Sequence, residues 1–359
     1  MHNRLVTSPP VIMAPRADGF EVAWGVGRLC RGWVEWTADD DAGIVNSDAF
    51  GMVPQGDEVL RVRLAGFSAG TEVKVRAVTE AANSPFARHE SEWKTVRTLE
   101  PAATEAHFAM WSDTHEHEEA LRALDEATPE VDLLVWNGDL VADNWSGDRG
   151  FAATVLDPAG LDVSKGRPLL VSLGNHDVRG PWAFKLREFI ATPEDRPYSA
   201  FRLGPVACIV LHTGEDKPDA HPTFEGRVAF EGFRKEQAEW LLTATARPEI
   251  RDAPYRIVFC HIPLRWKQEP TVDYEGGGWD DFSRMSRDAW HDALTGWGAQ
   301  AILSGHMHET AWLPPAGIHL RAVGRGRPGR GPQPSGSRIL DRRRRHGDGA
   351  DAYGPQPHR

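Results

Sequence analysis

At 359 residues the chain is long for one ordinary domain, and two are expected. Its net charge of −11 excludes a generally basic binder of nucleic acid or anionic membrane, the more so because beyond residue 323 nine Arg face three Asp, leaving −17 on the residues before. Three scattered cysteines (Cys30, Cys208, Cys260) exclude a disulfide framework; with no secretion signal in MHNRLVTSPP and no run of membrane-spanning length, a cytoplasmic protein is expected, or a secreted one if a leader precedes it.

From about residue 8 to 99 the chain reads as short strands punctuated by Gly, Asp and Pro: FEVAWGV, GWVEWTA, EVLRVRLAGF, TEVKVRAV and SEWKTVRTL. Their period-two alternation predicts a small antiparallel β-sandwich over 8–99. After Glu100-Pro-Ala-Ala the rhythm changes. Strands now alternate with the helical stretches HEEALRALDEA, WAFKLREFIA, RKEQAEWLLTATA and SRMSRDAWHDALTGW, which predicts an α/β domain over 104–323. Trp240 and Leu241 fall at core spacing on the third of these. From Gly324 onward, GRGRPGRGPQPSGSRILDRRRRHGDGADAYGPQPHR holds two large aliphatic residues, Ile339 and Leu340, and cannot build a core. A disordered tail over 324–359, or out-of-frame translation of a GC-rich gene, is expected ahead of a basic nucleic-acid arm, because no aromatics are interleaved. Two motif matches are discarded. Gly66-Phe-Ser68-Ala-Gly70 lacks the strand-to-helix context of a nucleophile elbow, and Pro328 forbids the helix that Gly324-Arg-Gly326-Arg-Pro-Gly329 would need to hold a pyrophosphate.

Five segments of the second region end in metal-binding residues: Ser-Asp113-Thr-His115, Asn-Gly-Asp139, Gly-Asn175-His176-Asp177, Cys-His261-Ile-Pro and Ser-Gly-His306-Met-His308. Each follows an apolar, strand-like run (HFAMW, VDLLVW, PLLVSL, YRIVFC, AQAIL), so the five groups are expected along the C-terminal rim of a sheet, where α/β folds bind ligands. Carboxylate and amide oxygens mixed with imidazole, without Cys, suit Mn, Fe or Zn rather than a structural zinc knot. A two-metal hydrolytic site follows.

The ordered set D-x-H, G-D, G-N-H-D, H, G-H-x-H resembles the calcineurin-like metallophosphoesterase superfamily over residues 106 to about 310. That resemblance implies a four-layer α/β/β/α sandwich and a dinuclear phosphoester hydrolase. It places one metal on Asp113, His115, Asp139 and His308, and the other on Asp139, Asn175, His261 and His306. A metal-bridging hydroxide would attack phosphorus in line, with His176 protonating the leaving oxygen or holding a phosphoryl oxygen and Asp177 orienting it. His117 is expected to be solvated at a helix start, Arg179 to contact phosphate, and His212 and His221 to line the pocket. The expected partner is a small phosphoester, with no nucleic acid and no membrane. A phosphomonoester is favoured; a phosphodiester, or a binding protein with an impaired second domain, are the alternatives. Phe67-Ser-Ala-Gly-Thr71-Glu-Val73 resembles the fibronectin type III corner L-x-P-x-T-x-Y, with Ala69 and Val73 as departures, and such a sandwich also precedes the catalytic domain of purple acid phosphatases. Those enzymes carry a Tyr ligand three residues after the G-D Asp. Here Ala142 stands in that place, so no tyrosinate is expected on iron.

Overall fold

The computed structural model describes residues 4–46, 51–142, 145, 150–265, 279–314 and 322–324. The chain divides into two units, Met1–Pro328 and Gly329–Arg359. The second unit lies outside the described residues, as does the expected tail except its first residue, Gly324, which ends a strand.

Nine strands come first: β1 (Val11–Arg16), β2 (Gly19–Gly25), β3 (Cys30–Ala38), β4 (Asp41–Val45), β5 (Gln55–Gly56), β6 (Val59–Ala65), β7 (Glu72–Ala81), β8 (Ser84–Glu90) and β9 (Lys94–Arg97). One sheet runs β4-β3-β7-β8, with β5 added to β3 and β9 to β7. On β3 and β7 the inward positions are Cys30, Val34, Val73, Val75 and Ala77, and the outward ones carry Arg31, Glu35 and Arg76, as period-two strands with one wet face require. Across the core stand β1, β2 and β6, and Trp24 Nε1 donates to Thr79 Oγ1 at 2.8 Å between the two layers.

The α/β region follows with β10 (Phe108–Trp111), α1 (Glu118–Ala127), β11 (Leu133–Asn137), β12 (Leu169–Ser172), α2 (Leu186–Phe189), β13 (Ser199–Leu203), β14 (Val206–Leu211), α3 (Phe230–Ala244), α4 (Pro248–Arg251), β15 (Tyr255–Cys260), α5 (Trp279–Trp297), β16 (Ala301–Ser304), β17 (Ala311–Leu313) and β18 (Ala322–Gly324). One of its sheets runs β13-β14-β15-β16-β18-β17. The other runs β10-β11-β12 and continues without a break into β1-β2-β6. The join is the parallel pairing of β1 with β12, Met13 opposite Leu169. The strand VIMAPR is apolar on both sides for this reason. Ile12 enters the sandwich core, while Val11 and Met13 pack with Trp111 and Trp136 under the α/β region.

Leu133, Val135 and Leu170 of the first α/β sheet meet Phe201, Cys208, Val210 and Phe259 of the second. Helix α1 covers one outer face through Leu121, and α3 and α5 cover the other through Trp240, Leu241, Trp290 and Leu294. The result is a mixed α/β fold of several sheets preceded by a β-rich region. Among the described residues no helix is long and apolar enough to cross a membrane. The stretch WAFKLREFIA forms only a 3-10 turn at Ala183–Lys185 and the single turn of α2. Pro181 and Pro193 bracket it, and burial of Leu186, Phe189 and Ile190 holds it in place of helix length.

Candidate metal centre

Strands β10, β11 and β12 run parallel in one sheet and β15 and β16 in the other, so the loops after all five leave from the same rim. Each loop turns sharply. Asp113, His115, Asp139, His306 and His308 all have positive φ, between 47° and 71°, a strained setting for non-Gly residues that recurs where function over-determines the backbone. Gly138 has φ of 88°, and a Cβ there would collide with the His261 ring. A Cβ on Gly305 would strike Ser112 Oγ and Asp113 Oδ2. The glycines of G-D and G-H-x-H therefore let ligand side chains from one sheet pass against the backbone of the other.

The structure brings Asp113, His115, Asp139 and His308 into one group and Asp139, His261 and His306 into a second, with the facing atoms of each group within 4.8 Å. Asp139 belongs to both. His261 Nε2 is 3.1 Å from Asp139 Oδ2, His308 Nε2 is 3.4 Å from Asp113 Oδ1, and His115 Nε2 is 3.8 Å from Asp139 Oδ2. Asn175 is buried and its Oδ1 has no hydrogen-bond partner, an orphaned acceptor that a cation would satisfy. Backbone carbonyls fix two imidazoles. Val141 O lies 2.9 Å from His115 Nδ1 and Asn137 O lies 2.8 Å from His261 Nδ1. A carbonyl can only accept, so each Nδ1 carries the proton and each Nε2 is left as the donor to a metal.

Charge tells the same story. Burial works to raise the Asp113 and Asp139 carboxyls, yet neighbouring imidazoles hold both below the ordinary carboxylate range. Burial alone would push His261 down, but Asp139 and Asp113 lift it to about 10. The spot demands positive charge, which two divalent ions on these donors would supply. Oxygen anions, imidazoles and a neutral amide, with no thiolate, fit transition metals of intermediate hardness.

Three expected roles, those of Asp177, Arg179 and His221, need revision. Asp177 does not orient His176. Its carboxylate accepts the backbone N–H groups of Asp139 (2.9 Å), Leu140 (2.8 Å), Val141 (3.3 Å) and Gly174 (2.8 Å), clamping the G-D loop to the G-N-H-D loop. Arg179 is not free for phosphate: it forks onto Glu215 (2.7 and 2.8 Å), bonds Asp216 (2.7 Å), and its Nη1 stands 3.5 Å from His176 Nε2. His212 does border a cavity, but as a buried group whose Nδ1 accepts the Gly214 N–H and whose ring lies between Phe230 and Phe233. His221 caps the turn Pro222–Phe224 by accepting the Thr223 N–H. His117 caps α1, accepting from Ala120 N–H, at the expected helix start. His176 sits at the edge of the cluster, Nε2 4.0 Å from Asp139 Oδ2, and its backbone N–H donates to Asp139 Oδ1 at 2.9 Å.

Sequence reading gave no role to Asn137, whose Nδ2 donates to Cys260 O (3.2 Å) and Leu303 O (3.3 Å) and so stitches the two sheets together directly beneath the site. Its place in Asn-Gly-Asp139, two residues before a candidate ligand, was the available signal. Glu215 and Asp216 were also missed. Ala142 supplies no side-chain ligand, and its N–H donates to Glu116 Oε2 at 3.2 Å.

The fold and these motifs have relatives. Among solved structures, a purple acid phosphatase from yellow lupin (Lupinus luteus) seeds aligns with a TM-score of 0.63 at 12% identity, over 88% of this chain and 64% of its own length. A phosphopantetheinyl hydrolase from Mycobacterium tuberculosis aligns at a TM-score of 0.36 and 18% identity over 63% of this chain and 92% of that one, too slight a likeness to bear on the fold. The chain thus spans 64% of the length of the lupin enzyme, and that likeness shows fold alone. No curated protein matches the chain by sequence. The family model for calcineurin-like phosphoesterases matches residues 106–310, well over half of the chain, and the protein belongs to that family.

Proposed function

We propose that the chain hydrolyses phosphoesters at a dinuclear centre of Mn, Fe or Zn, with a phosphomonoester as the preferred substrate. The observation that carries the proposal is the overlap of the two donor groups at Asp139, a carboxylate whose two oxygens suit a shared position. Asp113, His115, Asp139 and His308 would hold one ion, and Asp139, Asn175, His261 and His306 the other. Such ions would neutralise phosphoryl charge and supply an activated water for attack on phosphorus. Asn175 contributes a neutral oxygen, which keeps the net charge low enough for an anion to approach. His176 is half-buried at the rim and would meet the substrate, its protonated ring giving a proton to the leaving oxygen or a hydrogen bond to a phosphoryl oxygen once Nε2 turns from Arg179 to the substrate. Arg179, held by Glu215 and Asp216, positions that ring.

A diester reading has one observation in its favour. The Arg179 charge is matched by two carboxylates, so the surroundings of His176 offer little extra positive charge to the second negative charge of a monoester. The strands before residue 99 are read as a fibronectin type III-like module, with β1-β2-β6 facing β4-β3-β7-β8.

The test is elemental analysis of the loaded protein together with hydrolysis of nitrophenyl phosphate and bis-nitrophenyl phosphate. Close to two ions per chain and faster monoester turnover are expected; one ion, or no turnover of either ester, would sink the proposal. His176→Asn should keep both ions and lose about 10²–10⁴-fold on an alkyl phosphate, far less on the nitrophenyl ester, whose leaving group departs unaided. Equal losses on both esters would make His176 a phosphoryl-positioning group.

A further inference from the structure

A cavity of about 840 Å³ is lined in part by Val178 and Arg179, which follow the G-N-H-D block of the candidate metal centre. Arg179 links the two, with Nη1 3.5 Å from His176 Nε2 and the same side chain forming part of the cavity wall. Four phenyl rings, Phe184, Phe224, Phe230 and Phe233, line it together with Pro181, Pro197 and Val178. Phe184 is 64% exposed and lies at the mouth of this lining, where a ligand's ring could cover it. The charged groups at the wall are compensated. Arg179 is neutralised by Glu215 and Asp216, and Arg227 pairs with Glu225 at 3.3 Å. His212 is uncharged, because burial and the nearby Arg234 push its imidazole down to about 3. An aromatic, electrically balanced hollow therefore adjoins the residue that meets the leaving oxygen. Its size falls within the roughly 300–1,000 Å³ of small-molecule sites.

We infer that this cavity receives the alcohol half of the substrate and selects phosphoesters whose leaving group is bulky and aromatic. The inference rests on the phosphoester hydrolase reading above. A polyol or sugar would bring several hydroxyls against a lining whose arginines are already paired, leaving most of them without partners, whereas an aryl group would cover Phe184 and pack on Phe230 and Phe233.

The test compares 2-naphthyl phosphate with methyl phosphate on metal-loaded wild type, Phe184→Ala and Ala229→Trp. Ala229 is an exposed wall residue outside the metal centre, and its replacement fills the hollow. Ala229→Trp should lose about tenfold or more in kcat/KM on the naphthyl ester and keep its rate on the methyl ester. Phe184→Ala should lose less, in the same direction. Calorimetric titration with 2-naphthol should show binding to wild type that Ala229→Trp weakens. If methyl phosphate is hydrolysed but both esters respond alike to both variants and 2-naphthol does not bind, the cavity assignment is wrong and the hydrolase reading survives. If wild type hydrolyses neither ester, both fall.

Discussion

On the outer face of β3, β7 and β8 each arginine meets an acid: Arg31 with Glu80 at 2.6 Å, Arg76 with Glu35 at 2.7 Å, Arg88 with Glu90 at 2.7 Å. At the rim after β10, β11, β15 and β16, two buried carboxylates crowd four imidazoles, and a buried amide oxygen has no partner at all. The backbone divides the same way. Among the described residues, non-Gly positions with positive φ number two within the first nine strands and six in the rim loops. The sandwich satisfies its polar groups locally and is built to be stable. The rim leaves its groups strained and under-satisfied, as expected if a cation and, on the function proposed above, an anionic substrate complete them, and the surrounding sheets hold the strain.

If that division is real, rim substitutions should change function with little change in folding, and sandwich substitutions the reverse. The largest effect is expected from Asp139→Ala, which removes the shared donor. Most of both metals should be lost, with activity down about 10³-fold, corresponding to several kcal/mol of charge stabilisation, while circular dichroism still reports a cooperative fold. An unfolded variant would show that the rim also holds the scaffold together.

Stability against pH should be set behind the rim, at His212. Its pKa of about 3 lies below the ordinary 6.5, so between those values the unfolded chain binds a proton that the folded chain refuses. The contribution is complete above pH 6.5 and is lost as pH falls toward 3, by about 1.4 kcal/mol per unit. Urea midpoints at pH 7.5 and 4.5 should therefore differ more in wild type than in His212→Asn. Equal differences would place the acid sensitivity elsewhere.

Asn137→Ala tests the layer between the two regions. Loss of its bonds to Cys260 O and Leu303 O should loosen the alignment of the two ligand-bearing sheets and cost about 10–100-fold in metal affinity, measured by competition with a chelator. The smallest effect is expected in the shared sheet. Glu21 is buried and held by Arg61 at 2.8 Å and Arg63 at 2.7 Å, and the Arg61 guanidinium also donates to Glu188 O at 2.9 Å. Because both arginines are partly solvated, Glu21→Ala should cost about 1–2 kcal/mol by urea titration and leave metal content and turnover alone. A change in turnover would mean that the sandwich reaches the chemistry.

The rim was legible in the sequence because each ligand block sits at the end of its own apolar run, so local pattern alone put five loops on one edge. What each neighbour does was not legible. Asp177 looks like a partner for His176 by adjacency, yet four backbone N–H groups converge on it from two loops, a geometry visible only once β11 and β12 are side by side. Arg179 looked like a phosphate ligand because Glu215 and Asp216, its partners, lie 36 and 37 residues away. The sandwich strands with one wet face were readable by alternation. Strand β1 was not, since both its faces are buried and a proline interrupts it.

That strand sets a constraint on how the molecule can be divided. The partner of Met13 in the sheet, Leu169, is made more than a hundred and fifty residues later, so during synthesis the apolar far side of β1 waits uncovered until the third strand of the α/β region arrives. Long-range pairing of this kind slows folding. Cutting the chain between Arg97 and Phe108 would leave β12 with a naked edge of unpaired N–H and C=O groups and β1 with an uncovered apolar face, and each fragment would seek a substitute strand in another copy of itself.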